Sequence, residues 1–311
     1  MQLKLNIIYL IKCTELILDQ LMVTLDKLTI MKALLALCLA LATCFVTANA
    51  QKKDIICCAP TATEKFTLNT FDKAFLLSHA NPLPFKYRSD HGHDINFKTA
   101  DGTDGHGWEV KARQQTDYYM LVFHEWWGLN DYIKQESEKL SNALGINVIA
   151  VDLYDNKVAT TREDATQYTQ GVKTERATAI INGVYTQIGA SAKVFTIGWC
   201  FGGGWSLQAA IDGGKQVVGC IMYYGQPEKD VARLKTLNCD VIGFFGTKDK
   251  WLNPQVVDEF KANLALAGKH CSIYEYNADH AFANPSNPVY DKVATEDAYD
   301  KLLTFAKLRM R

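Results

Sequence analysis

A cysteine among closely spaced glycines follows an apolar run near the middle of the sequence. Residues 198–204 read GWCFGGG and come directly after the run at 193–198. Small residues flank a nucleophile where a strand turns sharply into a helix, because the strained turn leaves no room for side chains. Such a turn lifts the sulfur above the sheet, at the positive end of the next helix, where the thiolate is favoured. The pattern predicts an exposed nucleophilic thiol at Cys200.

A different interpretation is a buried cysteine beside the glycine-rich turn of a dinucleotide site. That turn follows the first strand of its unit and needs an acidic residue about twenty positions later. Here the glycines follow a strand in the middle of the predicted series. Their position favours the nucleophile.

An acid and a histidine follow two later apolar runs. Asp249 comes after 241–246, and His280 comes after 271–276. The order nucleophile, acid, histidine is that of α/β-hydrolases, and the intervals leave room for strand–helix units between the three residues. A lone aspartate in this position is more often a helix cap or a turn residue. The coincidence of three positions instead favours a triad of Cys200, Asp249 and His280.

The loop after the apolar run 118–123 carries further candidates. It reads HEWWGLN over residues 124–130. In this architecture that loop supplies one oxyanion-hole amide, and the residue after the nucleophile supplies the other, which gives Trp126 and Phe201. Glu125 would lie next to the sulfur and could take its proton. The alternative for Glu125 is a solvated loop carboxylate.

The remaining pattern supplies the elements that would position these residues. Apolar runs predict strands at 118–123, 147–152, 193–198, 217–224, 241–246 and 271–276, and helical spacing is present at 131–144, 173–188, 203–212, 254–267 and 293–309. Strict alternation predicts an α/β domain with a mostly parallel sheet and helices on both faces, with the site at the carboxyl ends of the strands. Residues 51–116 are less regular and add an antiparallel edge, with strands at 93–98 and 107–113. We therefore expect an irregular segment at 51–89 and one hydrolase domain at 90–311.

Six short motifs together resemble the dienelactone hydrolase family of cysteine α/β-hydrolases, in the order found in that family. They are HEWWGLN at 124–130, DLY at 152–154, GWCFGGG at 198–204, YYG at 223–225, GTKD at 246–249 and DHAF at 279–282. The resemblance spans about residues 90–310. It implies a Cys200, Asp249 and His280 triad, with Glu125 helping to activate the thiol, and hydrolysis of enol-lactones or related esters. It implies no metal and no organic cofactor.

The chain departs from the family pattern at two positions. Family members that take a carboxylate-bearing lactone place one arginine two residues after the tyrosine of DLY and another four residues after the histidine. Asn156 and Asn284 stand there. Because asparagine has neither the charge nor the planar fork of arginine, we expect a weak preference for carboxylated substrates.

The first fifty residues have the pattern of an export signal. Met31 and Lys32 precede an apolar run that ends in small residues, which predicts a signal peptide at 31–50 with cleavage after Ala50. Residues 1–30 then form a spurious extension, and the protein is exported to the periplasm or secreted. A long membrane anchor over 1–50 is disfavoured by its charged residues. Lipidation at Cys44 stays open.

The composition restricts the partners. In 311 residues, 33 Lys and Arg face 34 Asp and Glu, so nothing in the net charge of −1 favours nucleic acid. We expect hydrolysis of a small ester, lactone or thioester, no stable membrane span in the mature chain, and a monomer or weak oligomer. Six cysteines follow Ala50, and buried free thiols are favoured over bridges for three of them, Cys220, Cys239 and Cys271.

Two other functions compete with hydrolysis. A non-catalytic α/β-hydrolase-like protein could bind a small carbonyl ligand or a cell-envelope partner, but it would be expected to have a broken triad. A thiol redox protein would use an exported reactive cysteine. The sequence around Cys200 lacks the C-x-x-C pair typical of that class.

Overall fold

The computed structural model describes residues 62–310, and its centre is an eight-stranded sheet. The strands are β1 (Gly92–Phe97), β2 (Gly105–Val110), β3 (Tyr118–Phe123), β4 (Asn147–Asp152), β5 (Lys193–Trp199), β6 (Val217–Tyr223), β7 (Val241–Gly246) and β8 (Cys271–Tyr276). The α-helices are α1 (Ala62–Asn69), α2 (Lys73–Ser78), α3 (Asp131–Leu144), α4 (Arg162–Gly171), α5 (Thr174–Ile188), α6 (Phe201–Asp212), α7 (Val231–Thr236), α8 (Pro254–Leu266) and α9 (Lys292–Arg309).

The sheet order is β1-β2-β4-β3-β5-β6-β7-β8. Strands β1 and β2 are antiparallel to their neighbours, and strands β3 to β8 all run parallel to one another. Phe123 at the end of β3 pairs with Gly198 of β5. The loop after β3 and the turn after β5 therefore begin side by side at one edge of the sheet.

The predicted α/β class is confirmed. Every residue of β7 and all but the first of β5 are buried, which requires cover on both faces of the sheet. The helix ends also follow local chemistry. Asn253 caps α8 ahead of Pro254 at its first turn, and Gly145 ends α3 in the left-handed conformation.

The predicted elements lie within a few residues of the observed ones. The antiparallel edge is present as β1 and β2. Four helices were not expected from the sequence pattern: α1, α2, α4 and α7. Two of these, α1 and α2, lie in the segment 51–89 that the pattern marks as irregular.

Several predictions concern residues outside the described range. They are the extension at 1–30 and the signal peptide at 31–50 with its cleavage after Ala50. Within residues 62–310, no helix has both the length and the apolar character needed to cross a bilayer. The cysteines of this part of the chain, Cys200, Cys220, Cys239 and Cys271, are all free thiols. Cys220 is buried as expected, but Cys239 and Cys271 are only partly buried, because they lie just before β7 and at the first residue of the edge strand β8.

Candidate active site

Cys200 lies on a strained turn between β5 and α6. Its φ is 56° and its ψ is −116°, a conformation that side chains with a Cβ rarely adopt. The flanking glycines are required by close packing. A Cβ on Gly198 would lie 2.0 Å from the carbonyl oxygen of Gly202, and one on Gly202 would lie 2.1 Å from the carbonyl oxygen of Phe123. The predicted strand-to-helix turn at Cys200 is confirmed.

The thiol is not exposed, so that expectation was wrong. Only 1% of Cys200 is accessible to solvent. The cause is the segment ahead of the sheet. His79, which follows α2, places its Nε2 atom 3.9 Å from the Cys200 sulfur, and the Phe75 ring of α2 packs against Trp126 and His280. Helix α2 and the residue after it thus cover the turn that the sequence pattern leaves open.

Cys200, His280 and Asp249 form a continuous chain of contacts. The Nε2 atom of His280 is 3.2 Å from the Cys200 sulfur, and its Nδ1 atom is 2.5 Å from Oδ2 of Asp249. The three side chains come from the loops after β5, β8 and β7, as expected for one sheet edge. Asp249 also closes its own turn, which is the role that a lone aspartate in this position usually has. Its Oδ1 atom accepts the backbone N–H groups of Trp251 and Leu252.

Burial and neighbouring charges set the protonation of this chain. Burial opposes charge on His280, but the negative charges of Asp249 and of the Cys200 thiolate raise its pKa well above the ordinary value. Burial raises the pKa of Cys200, and His280 acts against that rise. Burial also disfavours the Asp249 carboxylate, yet His280 and the hydrogen bonds to it lower its pKa. A proton leaving the sulfur therefore has a strong acceptor at His280.

The loop after β3 is held by a buried histidine and a buried tyrosine. The Nδ1–H of His124 donates to the carbonyl of Glu125, and its Nε2 accepts the N–H of Leu153. The hydroxyl of Tyr154 donates to the carbonyl of Trp126 at 3.1 Å. These bonds tie the HEWWGLN loop to the DLY segment. They fix the backbone at Trp126.

Two backbone N–H groups lie beside the turn. The N–H of Phe201 hydrogen-bonds the Cys200 sulfur and lowers its pKa, although burial is the larger influence on that group. The N–H of Trp126 has no hydrogen-bond acceptor among residues 62–310. These two amides are the ones expected to form an oxyanion hole.

Glu125 is buried and hydrogen-bonded, so it is not a solvated loop carboxylate. It is 7% exposed, its Oε1 accepts the Tyr224 hydroxyl at 3.3 Å, and its Oε2 accepts the Asn284 amide. Burial raises its pKa to about 7, against the opposing effects of His280, Tyr224 and Asn284. No hydrogen bond joins its carboxylate to the Cys200 thiol within the described part of the chain. Glu125 is therefore poised to change charge near neutral pH.

A small cavity of about 100 Å³ lies beside Glu125. Its walls include Trp199, Tyr224, Asn284 and Lys139. Glu125 lines this space, whereas Cys200 and His280 do not. A volume near 100 Å³ holds only a few heavy atoms, well below the roughly 300 Å³ and more of typical ligand sites.

Sequence reasoning missed His79. It is 2% exposed, and its Nδ1 atom is 2.8 Å from the carbonyl oxygen of Phe75. The carbonyl can only accept, so Nδ1 carries the proton and the unprotonated Nε2 faces Cys200. Burial and the charge of His280 lower its pKa to about 3. The histidine directly follows a helix of only six residues and lies in no motif, so no local signal marks it.

Comparisons with known proteins agree with this architecture. The family model described as "Dienelactone hydrolase family" matches residues 110–309. A Saccharolobus solfataricus protein provisionally named carboxymethylenebutenolidase is 25% identical over 235 residues, covering 60% of this chain and 88% of that protein. Carboxymethylenebutenolidase 1 of Cupriavidus pinatubonensis is 24% identical over 199 residues, covering 59% and 83%.

A solved structure has the same fold. It is provisionally described as a dienelactone hydrolase from Klebsiella pneumoniae, with a TM-score of 0.61 and 20% identity over 70% of this chain and 100% of that chain. At this identity the likeness concerns the fold alone.

Proposed function

The chain belongs to the dienelactone hydrolase family, and from that membership we propose that it hydrolyses an ester or lactone through the Cys200 thiol. The observation that carries the proposal is the contact chain from sulfur to imidazole to carboxylate, at 3.2 Å and 2.5 Å. A nucleophile, a base and a group that orients the base are what acyl transfer requires. The names of the two curated relatives agree with this reaction class.

The first half of the reaction forms a thioester. Cys200 transfers its proton to Nε2 of His280 and attacks the carbonyl carbon of the substrate. The tetrahedral oxyanion accepts hydrogen bonds from the N–H groups of Trp126 and Phe201. His280 then donates its proton to the leaving alkoxide or enolate, and the carbon–oxygen bond breaks.

The second half releases the acid. His280 removes a proton from water, the resulting hydroxide attacks the thioester carbonyl, and the carbon–sulfur bond breaks. The proton returns from His280 to the leaving thiolate. Asp249 holds the Nδ1–H of His280 throughout, which keeps Nε2 available for each transfer.

Glu125 acts on the charge of the thiol in this proposal. Its ionised carboxylate raises the pKa of Cys200, in addition to the larger effect of burial. When Glu125 is protonated its carboxyl is neutral, this repulsion disappears, and the proton of the thiol passes more easily to His280. A carboxyl whose pKa is about 7 can change state in this way at neutral pH.

The cysteine variants test the proposal. On aryl esters and lactones, Cys200→Ala should lose at least about a thousandfold in kcat, because residues of a catalytic triad act as a unit. Cys271→Ser is the matched control, since Cys271 is a half-buried thiol on β8.

Alkylation gives a second test on the unmodified chain. Iodoacetamide treatment should abolish hydrolysis in step with the labelling of Cys200, followed by mass spectrometry. Full activity with Cys200 alkylated would remove it as the nucleophile. If none of the aryl esters and lactones is hydrolysed, the result would favour a non-catalytic binding protein.

A further inference from the structure

Cys200 has a second imidazole beside it. The Nε2 atom of His79 is 3.9 Å from the sulfur, that of His280 is 3.2 Å from it, and all three atoms lie within 4.8 Å of one another. All three residues are buried: Cys200 is 1% exposed, His79 2% and His280 6%. A hydrolase of this kind needs one base, so the reaction leaves His79 without a role.

The distances from the sulfur to the two nitrogens are close to those that a zinc ion requires. Zinc binds thiolate sulfur at about 2.3 Å and imidazole nitrogen at about 2.0 to 2.1 Å, usually with tetrahedral geometry. Neighbouring ligand atoms around such an ion lie about 3.3 to 3.6 Å apart by that geometry. The sulfur–nitrogen distances of 3.2 Å and 3.9 Å fall on either side of this range. Each sulfur–nitrogen distance would change by a few tenths of an ångström. The two Nε2 atoms lie within 4.8 Å of each other, so zinc binding would draw the imidazoles together by up to about 1.4 Å.

Both imidazoles already have the tautomer that a metal needs. Nδ1 of His280 is held by Asp249, and Nδ1 of His79 by the carbonyl of Phe75. Each outer partner holds the proton on Nδ1, which leaves the Nε2 lone pair directed at the sulfur. Metal-binding histidines are oriented by the same kinds of partner, a carboxylate or a backbone carbonyl.

We propose that His79, Cys200 and His280 form a three-ligand site for Zn²⁺, and that zinc bound there blocks hydrolysis. One thiolate and two imidazoles favour Zn²⁺ over Mg²⁺ or Ca²⁺, which prefer oxygen ligands. The fourth position of the ion is left for water.

Zinc binding and catalysis compete for the same atoms. The ion replaces the thiol proton, so Cys–SH and Zn²⁺ give Cys–S⁻–Zn²⁺ and one H⁺. The sulfur lone pair and Nε2 of His280 then bind the metal. Neither can attack a carbonyl or accept a proton. The blocking part of this inference rests on the proposed function, whereas the site itself does not.

Metal binding is measured first, without substrate. Co²⁺ is added to the reduced, metal-free chain, and the thiolate-to-cobalt charge-transfer absorption is followed. Zinc affinity comes from competition with a chromophoric chelator. We expect one ion per chain and a cobalt–sulfur band that is lost in Cys200→Ser. In His79→Gln the Kd for zinc should rise by about a hundredfold or more, since even outer partners of metal ligands are worth 10- to 100-fold.

Matched controls separate this site from other thiols and histidines. His270→Gln changes a histidine whose side chain is 72% exposed, and Cys271→Ser changes a half-buried thiol. Both should bind zinc like the unmodified chain. X-ray absorption of the zinc-loaded, unmodified chain should show one sulfur and at least two nitrogens around the metal. X-ray absorption therefore tests which atoms bind the zinc even if His79→Gln does not fold.

Inhibition is measured second. Zinc should stop ester hydrolysis in the unmodified chain, a chelator should restore it, and His79→Gln should need at least about a hundredfold more zinc for the same fractional loss. Equal zinc affinity in the unmodified chain and His79→Gln, or a bound zinc with no sulfur ligand, would overturn the site. Hydrolysis that zinc does not affect would overturn the blocking role and leave the proposed function intact. Zinc bound as expected by a chain that hydrolyses nothing would support the site and contradict the proposed function alone.

Discussion

Asp249 holds His280 with one carboxylate oxygen and its own loop with the other. Oδ2 is 2.5 Å from Nδ1 of His280, and Oδ1 accepts the N–H groups of Trp251 and Leu252 at 2.8 Å and 2.9 Å. Orientation of the base and closure of the turn thus depend on the same side chain. The two contributions can be separated because each oxygen serves only one of them.

Replacement of Asp249 by asparagine or alanine should give different losses. Asp249→Asn keeps an oxygen for the two N–H groups but loses the charge beside His280, so kcat should fall on the order of a thousandfold or more. Asp249→Ala also leaves the two N–H groups unpaired, which should lower the free energy of unfolding by about a further 2 kcal/mol. Enzyme kinetics and urea unfolding of both variants check this. Equal stability of the two variants would contradict the turn-closing role.

Glu125 should make stability depend on pH. Burial raises its pKa from the ordinary value of 4.5 to about 7, so the folded chain binds a proton between these values that the unfolded chain has released. The contribution of Glu125 to the free energy of unfolding is therefore largest below pH 4.5, and it falls as the pH rises towards 7. The loss amounts to about 3 kcal/mol.

Glu125→Gln should remove this dependence, because the amide does not ionise. The variant should gain stability relative to the unmodified chain across the window from about pH 4.5 to 7, measured by urea unfolding at several pH values. Gln135→Glu is a suitable comparison, since Gln135 also lines the cavity but has no described contact with the triad. The same pH slope in the unmodified chain and in Glu125→Gln would rule out a raised pKa at Glu125.

Substrates with a carboxylate should not be preferred. Asn284 donates to Glu125 and Asn156 is exposed, so neither of the two positions holds a cation that could pair with a substrate carboxylate. Comparing kcat/KM for a carboxylated lactone and its methyl ester measures the preference. A charge-assisted pair is worth about 1.5 to 3 kcal/mol, so a tenfold or larger preference for the free carboxylate would reveal another cation in the site.

We propose that the protein is exported and that the exported chain begins at Gln51. Ala48 and Ala50 are the small residues that frame the expected cleavage, and Met31 opens the basic start of the signal. N-terminal sequencing of protein recovered from outside the cytoplasm checks this prediction. Recovery there of a chain that keeps residues 1–30 would contradict it.

The sheet and the proximity of Cys200, Asp249 and His280 were predictable because strong local signals mark them. Apolar runs identify β3 to β8, and the residue that follows each parallel strand falls at one edge of the sheet. Glycines reveal the turn at Cys200, since only they tolerate contacts near 2 Å from a Cβ position. These features depend on neighbours in the sequence.

The cover over the thiol was not predictable in the same way. Helices α1 and α2 have eight and six residues, and each anchors mainly through one buried phenylalanine, Phe66 and Phe75. A single apolar position gives no periodicity. The burial of Glu125 likewise depends on Tyr224 and Asn284, which are 99 and 159 residues away along the chain. No local pattern reports such contacts.

The order of the triad along the chain has a consequence for synthesis. Cys200 and His280 are separated by 80 residues, and Asp249 lies between them. A nascent chain therefore carries its cysteine out of the ribosome well before the imidazole that will accept the proton is made. Until β8 and the loop after it join the sheet, the sulfur has no imidazole of His280 within reach to accept its proton. The hydrolysis proposed above therefore requires the completed fold.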